Sequence, residues 1–273
     1  VRDELIVSGL TVRFAGLTAL DDVGFTVAPG SVHAVIGPNG AGKSTCFNVL
    51  SGVYRATEGS VTFGGTELTT LAPHRIAALG IARTFQNIAL SRHLSVEDNL
   101  MLGRHRLTKA GFLSAGLRLP RARREDARHR ARVRDIAEFV GVGDHLAAPV
   151  GMLPYGVQKR IELARGLAME PRLLLLDEPV AGMNGTERQR MADVIVRARA
   201  DLGISILLVE HDMGMVMRLA DEVTVLDFGK RIAGGPPADV QRDPAVLRAY
   251  LGAAHEPTAG TATATEEEER ERA

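Results

Sequence analysis

Residues Gly37-Pro38-Asn39-Gly40-Ala41-Gly42-Lys43-Ser44 match the pattern G-x-x-x-x-G-K-[ST]. They lie between an apolar run, VHAVIG, and a segment of helical character reaching to about Ser51. A strand that turns into a helix through glycines wraps successive backbone N–H groups around one point. The unbonded N–H groups of the helix start add positive potential there. A phosphate group is the ligand such a loop demands, because a lysine forced beside a tight turn needs an anion. With a nucleotide in place, Lys43 reaches the β- and γ-phosphates, the Ser44 hydroxyl is placed to ligate Mg²⁺, and Thr45 supplies a further hydroxyl.

The remaining segments read as an α/β chain. LIVSGLTVRF and VGFTV are β-rich, Pro29–Gly30 marks a turn, and GSVTFGG at 59–65 reads as an exposed strand or hairpin. PHRIAALGI opens with proline at a first helical turn. From about Ser91 to Ala168 the pattern is helical, with Ser95 as an N-cap ahead of Glu97 and Asp98 and an arginine-rich second helix, RARREDARHRARVRDIAEFVGVG. Apolar strands then alternate with helices: RLLLLDEP, TERQRMADVIVRARADLG, ISILLVEH, MGMVMRLAD and EVTVLDFG. Near-continuous apolar strands between helices predict a mainly parallel sheet covered on both faces. The expected layout is one domain over residues 1–254, with a β-rich, antiparallel start and a helical insertion at about 88–168. The tail at 255–273, poor in apolar residues and ending in a run of acids, is expected to be disordered.

Asp177 ends the LLLL run and is the natural second oxygen ligand for Mg²⁺, an ion that prefers octahedral oxygen coordination with waters retained. Glu178, one residue on, is placed to orient or deprotonate an attacking water. Composition excludes several other classes. Lysine plus arginine and aspartate plus glutamate are equal at 33 each, so no global charge draws the chain to nucleic acid. The lone Cys46 rules out a disulfide framework and fits a reducing compartment. VRDELIVSGL lacks the features of a signal peptide, and no apolar run approaches the ~18 residues of a membrane span. If the protein works at a membrane, another chain spans it.

The phosphate loop, the LLLLDEP strand and the segments between them resemble the ATP-binding cassette (ABC) family of transporter ATPases from Leu5 to about Gly252. Gln86 resembles the glutamine loop, Leu153-Pro154-Tyr155-Gly156-Val157-Gln158 the signature loop, AGMN at 181–184 the loop after the catalytic acid, and His211 the switch histidine. The resemblance implies a P-loop NTPase core and two nucleotide-binding subunits facing head to tail, with ATP between them. The signature turn of one would cap the γ-phosphate held by the other. It implies that Phe14 stacks on adenine, that Gln86 touches Mg²⁺ or the water and reports to the helical insertion, and that His211 holds the γ-phosphate and Glu178's water. A metal role for His211 has no second histidine at ligand spacing to support it.

The chain departs from the family pattern at two points. Pro154 stands where serine is usual, leaving only the N–H groups from Tyr155 onward and the helix dipole to act on a partner's phosphate. Asn184 replaces a common aspartate, which leaves hydrogen bonding across the dimer without charge. Such asymmetry fits a partner that is a different ATPase chain. The signature tyrosine, AGMN, RTFQNIALSRHLSVEDNL and the terminal VLRAYLG are similar to ATPase subunits of branched-chain amino acid importers. That implies two permease subunits, indirectly a solute-binding protein, and a position on the cytoplasmic face of the membrane. The insertion would receive the permeases, with 85–92 as the contact. YLG is also similar to lipopolysaccharide-export ATPases. A soluble nucleotide-gated clamp and a regulator that binds ATP without turnover are the other readings. The arginine-rich stretch 118–134 reads as a solvated helix face, or as a contact for acidic lipid or a membrane subunit.

Overall fold

The computed structural model describes residues 3–84, 88–108 and 120–253. The first sheet is antiparallel. Its order is β2 (Leu17–Val27), β1 (Leu5–Phe14), β4 (Glu58–Phe63), β5 (Thr66–Glu67). The segment 59–65, expected to be exposed, is corrected here: Val7 pairs with Val61 on β4, and Val61 and Phe63 are buried. GSVTF alternates, so one face of this strand is core and only the other is wet.

The second sheet has six strands in the order β10 (Lys230–Gly235), β9 (Glu222–Asp227), β3 (Val32–Ile36), β8 (Ser205–Val209), β7 (Leu173–Asp177), β6 (Ile81–Arg83). All pairs are parallel except the edge hairpin of β9 and β10. The edge strand KRIAGG escapes the sequence reading because it carries no apolar alternation. Every residue of β3, β7 and β8 is buried, and successive side chains go to different cores. Ala34, Ile36, Leu174, Leu176, Ile206 and Leu208 point to one face. Val35, Leu173, Leu175, Leu207 and Val209 point to the other, against β1, β2, β4 and α1 (Lys43–Leu50). The two-residue period of a strand buried on both sides produces this division.

The first face is covered by α3 (Val96–Arg104), α4 (Pro120–Val140), α5 (Tyr155–Ala168), α6 (Gly185–Leu202) and α7 (Met213–Leu219). The short α2 (Pro73–Ala78) precedes β6, and α8 (Pro237–Val240) and α9 (Pro244–Ala253) end the described chain. Ser95 caps α3 by accepting from the Asp98 N–H at 3.0 Å. Three arginines of α4, Arg130, Arg132 and Arg134, are engaged within the chain. Arg130 pairs with Asp126 and Glu97 at 3.0 and 2.9 Å, and Arg132 with Glu170 at 3.2 Å. Glu170 also holds Arg104, whose Nε meets His129 Nδ1 at 2.8 Å. Single exposed pairs contribute little, but this set links α4 to α3 and to the residues just after α5. The tail at 255–273 lies outside the described residues.

His33 on β3 is a buried group that titrates away from its usual range. Its Nε2 lies 3.0 Å from Thr224 Oγ1, and its ring stacks on Phe25 at 5.2 Å. Burial, with the Arg231 charge adding to it, lowers its pKa to about 4. Between the unfolded value near 6.5 and about 4, the unfolded chain binds a proton that the folded chain refuses, so stability falls as pH drops through that window. The loss attributable to His33 is about 3 kcal/mol. Urea midpoints of wild type and His33→Gln at pH 7.5 and pH 4.5 check it: the variant shows the shallower acid loss, and parallel profiles would refute the assignment.

Candidate functional site

The phosphate loop leaves β3 at Ile36. Gly37 has φ 149°, and a Cβ there would strike the Leu226 carbonyl. Gly42, the residue before α1, sits at φ 99°, where a Cβ would come within 2.6 Å of the Ala19 carbonyl oxygen and 2.7 Å of Leu20 Cδ2. Only glycine allows that close a turn against β2. α1 has no side-chain cap, so its first N–H groups are left to a ligand. Lys43 Nζ donates to the carbonyls of Gly37 at 2.7 Å and Pro38 at 2.8 Å, placing the ammonium inside the curve of the loop. Burial lowers the Lys43 pKa, while the carboxylates of Glu178 and Asp177 pull it back up. Ser44 is exposed and Thr45 half-buried at the start of α1, as are Asn39 and Gly40 exposed in the loop, with Ala41 buried beneath it.

The two carboxylates at the end of β7 have distinct surroundings. Asp177 is buried, and its Oδ2 accepts from Arg83 Nη2 at 2.9 Å. The other Arg83 branch binds Asn48 Oδ1 and Ser51 Oγ, both at 2.8 Å, so one guanidinium joins β6, β7 and the end of α1. Glu178 adopts φ 47°, a left-handed conformation uncommon for a residue with a Cβ and costing roughly 1 kcal/mol. Its N–H donates to the Val209 carbonyl at 3.0 Å, which ties the end of β7 to the end of β8. His211 follows β8, and its Nδ1 lies 3.8 Å from Glu178 Oε1, with the ring largely exposed. Glu210, between the end of β8 and His211 in the chain, is fully buried, accepting from the N–H groups of Val180 and His211 at 3.2 Å and of Asp212 at 3.4 Å. Burial raises its pKa, and those three donors oppose the shift.

The structure thus brings Lys43, Asp177, Glu178 and His211 to the ends of β3, β7 and β8, as expected for the crevice outside the carboxyl edge of a parallel sheet. Phe14 lies at the tip of β1, 41% exposed, edge-on to Tyr54 at 5.2 Å. Gln86 lies outside the described residues.

Leu153 to Gln158 form the entry to α5. Pro154 is its N-cap, with no side-chain cap, and its carbonyl accepts from the N–H groups of Val157 and Gln158 at 3.0 Å. The N–H groups of Tyr155 and Gly156 therefore lead the helix. Gln158 is folded back, donating to the Leu153 carbonyl at 2.7 Å. The Tyr155 hydroxyl donates to the Ala181 carbonyl at 3.2 Å, and Gly156 leaves no room for a Cβ beside Glu187. The same Glu187 closes a capping box with Asn184, whose side chain accepts from the Glu187 N–H at 3.0 Å. Asn184 is thus occupied in starting α6. Arg83, Lys159, Glu210 and Tyr54 were missed from sequence. The signal for Glu210 and Lys159 was a charge bordering an apolar run, which marks a buried polar group only once the packing is known; Lys159 is 3% exposed beside Glu162.

A family model described as ABC transporter matches residues 20–181, which contain the phosphate loop, the signature turn and both carboxylates. The chain belongs to the ABC transporter family. A second model, described as branched-chain amino acid ATP-binding cassette transporter, matches residues 230–256 of this cassette. The high-affinity branched-chain amino acid transport ATP-binding protein BraF of Pseudomonas aeruginosa is 39% identical over 253 residues, spanning 93% of this chain and 99% of the relative. The corresponding protein LivG of Escherichia coli is 38% identical over 250 residues, 92% of this chain and 98% of the relative. A solved ATP-binding cassette of an ABC transporter, in its ADP conformation, superposes with a TM-score of 0.80 at 30% identity, covering 92% of this chain and 99% of that one. The mixed α/β architecture is that of the ABC ATPases, and this cassette is an ATP-hydrolysing transporter subunit. No described helix is long and apolar enough to cross a membrane.

Proposed function

We propose that this cassette drives import of branched-chain or other hydrophobic amino acids. It would work as one of two nucleotide-binding subunits on the cytoplasmic face of a pair of permeases supplied by a solute-binding protein. The observation that carries the reading is that similarity to branched-chain amino acid cassettes runs over nine-tenths of the chain and includes a separate match at 230–256.

In this reading the curve of residues 37–45 takes the β-phosphate on its N–H groups, and Lys43 moves its ammonium from the Gly37 and Pro38 carbonyls to the β- and γ-phosphates. The donor set fits magnesium: Ser44 offers an exposed hydroxyl, and Asp177 has one oxygen on Arg83 and one left, which suits an ion that keeps phosphate oxygens and water as its other ligands. Bound there, magnesium would neutralise charge on the phosphates. Glu178 accepts the proton of the attacking water, and its fixed left-handed backbone keeps the carboxylate beside His211. His211 orients that carboxylate with one ring nitrogen and offers the other to the γ-phosphate. Phe14 stacks on the adenine, its ring set by Tyr54. The leading N–H groups of α5 act on nucleotide held by the partner chain, which makes ATP the bridge and hydrolysis its release.

Proteoliposomes carrying the cassette with its co-purifying permeases test this. Leucine accumulation that needs ATP and the binding protein is the expected result. ATP-driven uptake of another solute class in the same vesicles, with leucine ignored, would remove the proposal.

A further inference from the structure

A cleft of about 530 Å³ lies beside the phosphate loop, with the backbone of residues 38–41 as one wall and the β9–β10 turn and α9 as the others. Neither Lys43, Ser44, Asp177, Glu178 nor His211 lines it, so it is separate from the reacting groups described above. Its size falls in the range of small-molecule sites.

Its chemistry is mixed in a specific way. Asp227 and Arg248 both line it, and neither forms an ion pair or a side-chain hydrogen bond among the described residues. Elsewhere in the chain Arg83, Arg104, Arg130, Arg188 and Arg218 each hold a carboxylate. The surface around the two charges is apolar: Phe228, 85% exposed at the hairpin turn, with Ile232, Ala245 and Ala249. One unengaged anion, one unengaged cation and an aliphatic-aromatic wall together describe the complement of a zwitterion with a hydrocarbon side chain. Ile232, Ala245, Arg248 and Ala249 all fall within residues 230–256, outside the ABC transporter match that ends at 181. The helix that carries Arg248 is also seated against the loop. Tyr250 is half-buried on α9, and the Gly37 backbone amide opposes the upward push of burial on its phenol. Its hydroxyl has no closed hydrogen bond.

We propose that this cleft is an effector site for a free aliphatic α-amino acid. Asp227 takes the α-ammonium, Arg248 the α-carboxylate, and Phe228 and Ile232 the side chain. Residues 38–41 are wall on one side and phosphate cradle on the other, so occupancy of the cleft changes ATP affinity, and ATP changes amino acid affinity by the same factor. The choice of an aliphatic amino acid rests on the importer reading; the presence of a zwitterion site does not.

Calorimetric titration of the full chain with L-leucine, with and without ATP, tests the proposal. Leucine binds; leucinamide and N-acetylleucine, each lacking one charge, bind about 10-fold more weakly or worse. Arg248→Ala and Asp227→Asn each weaken leucine by about 10-fold or more and leave ATP affinity measured without leucine unchanged, since each removes a charge-assisted hydrogen bond. Both side chains are at the surface, and unchanged melting temperatures confirm folding. No heat with leucine up to tens of millimolar, variants that bind like wild type, or ATP affinity indifferent to saturating leucine would each overturn it. Leucine uptake in vesicles with a silent titration removes the site and keeps the importer reading. A different zwitterion that binds and needs both residues, with leucine silent, overturns the aliphatic effector and leaves the importer reading to the uptake assay.

Discussion

Glu178→Gln keeps ATP binding and lowers hydrolysis about 10²-fold or more, the usual scale for a positioned base. The substitution preserves shape, so the left-handed backbone at 178 and its N–H bond to Val209 have no reason to move. What it removes is a basic oxygen 3.8 Å from His211 Nδ1. It also removes a negative charge that acts on Lys43. With less anionic repulsion near the phosphates, binding does not weaken, which separates a catalytic loss from a structural one. Single-turnover phosphate release beside fluorescent ATP binding measures both quantities. Turnover at the wild-type rate would eliminate Glu178 as the base.

Lys43→Ala weakens ATP binding by about 10²-fold or more. The ammonium is buried in the curve of the loop and is the phosphate-facing cation the sequence supplies there, so its loss leaves the nucleotide's charge to backbone dipoles alone. Removing it also frees the Gly37 and Pro38 carbonyls, so melting temperature without nucleotide is measured alongside to separate a collapsed loop from a loop that no longer holds phosphate. An unchanged dissociation constant would overturn the placement of phosphate at this loop.

Much of the fold could be read in advance because its signals are local. LLLL, ISILLV and VHAVI have the length and apolarity of strands buried on both faces, and the glycine at 42 is dictated by its own backbone angle. The capping of α3 by Ser95 involves positions only three apart. Legibility stopped where a side chain's role depends on a neighbour far along the chain. Arg83 and Asp177 are 94 positions apart, and nothing near Arg83 announces that its partner is the carboxylate ending β7. Glu210 reads as an acid at a strand end, yet it is enclosed because the Val180 loop folds over it. Tyr155 is legible as the tyrosine of the signature turn, but its bond to Ala181 exists only because α5 and the loop after β7 stack. The exposed reading of 59–65 failed for a related reason: a strand buried on one face only looks polar when its inner face is not known.

That stacking has a mechanical corollary. The α5 entry is fastened to residues 181–187 by a phenol on a carbonyl and by a glycine nested against the carboxylate that also caps α6. These contacts couple the two surfaces. In the proposed pairing of cassettes, a subunit that pushed on the turn at Pro154 would displace the 181–184 loop as well, so the two edges would behave as a single lever rather than two separate feelers.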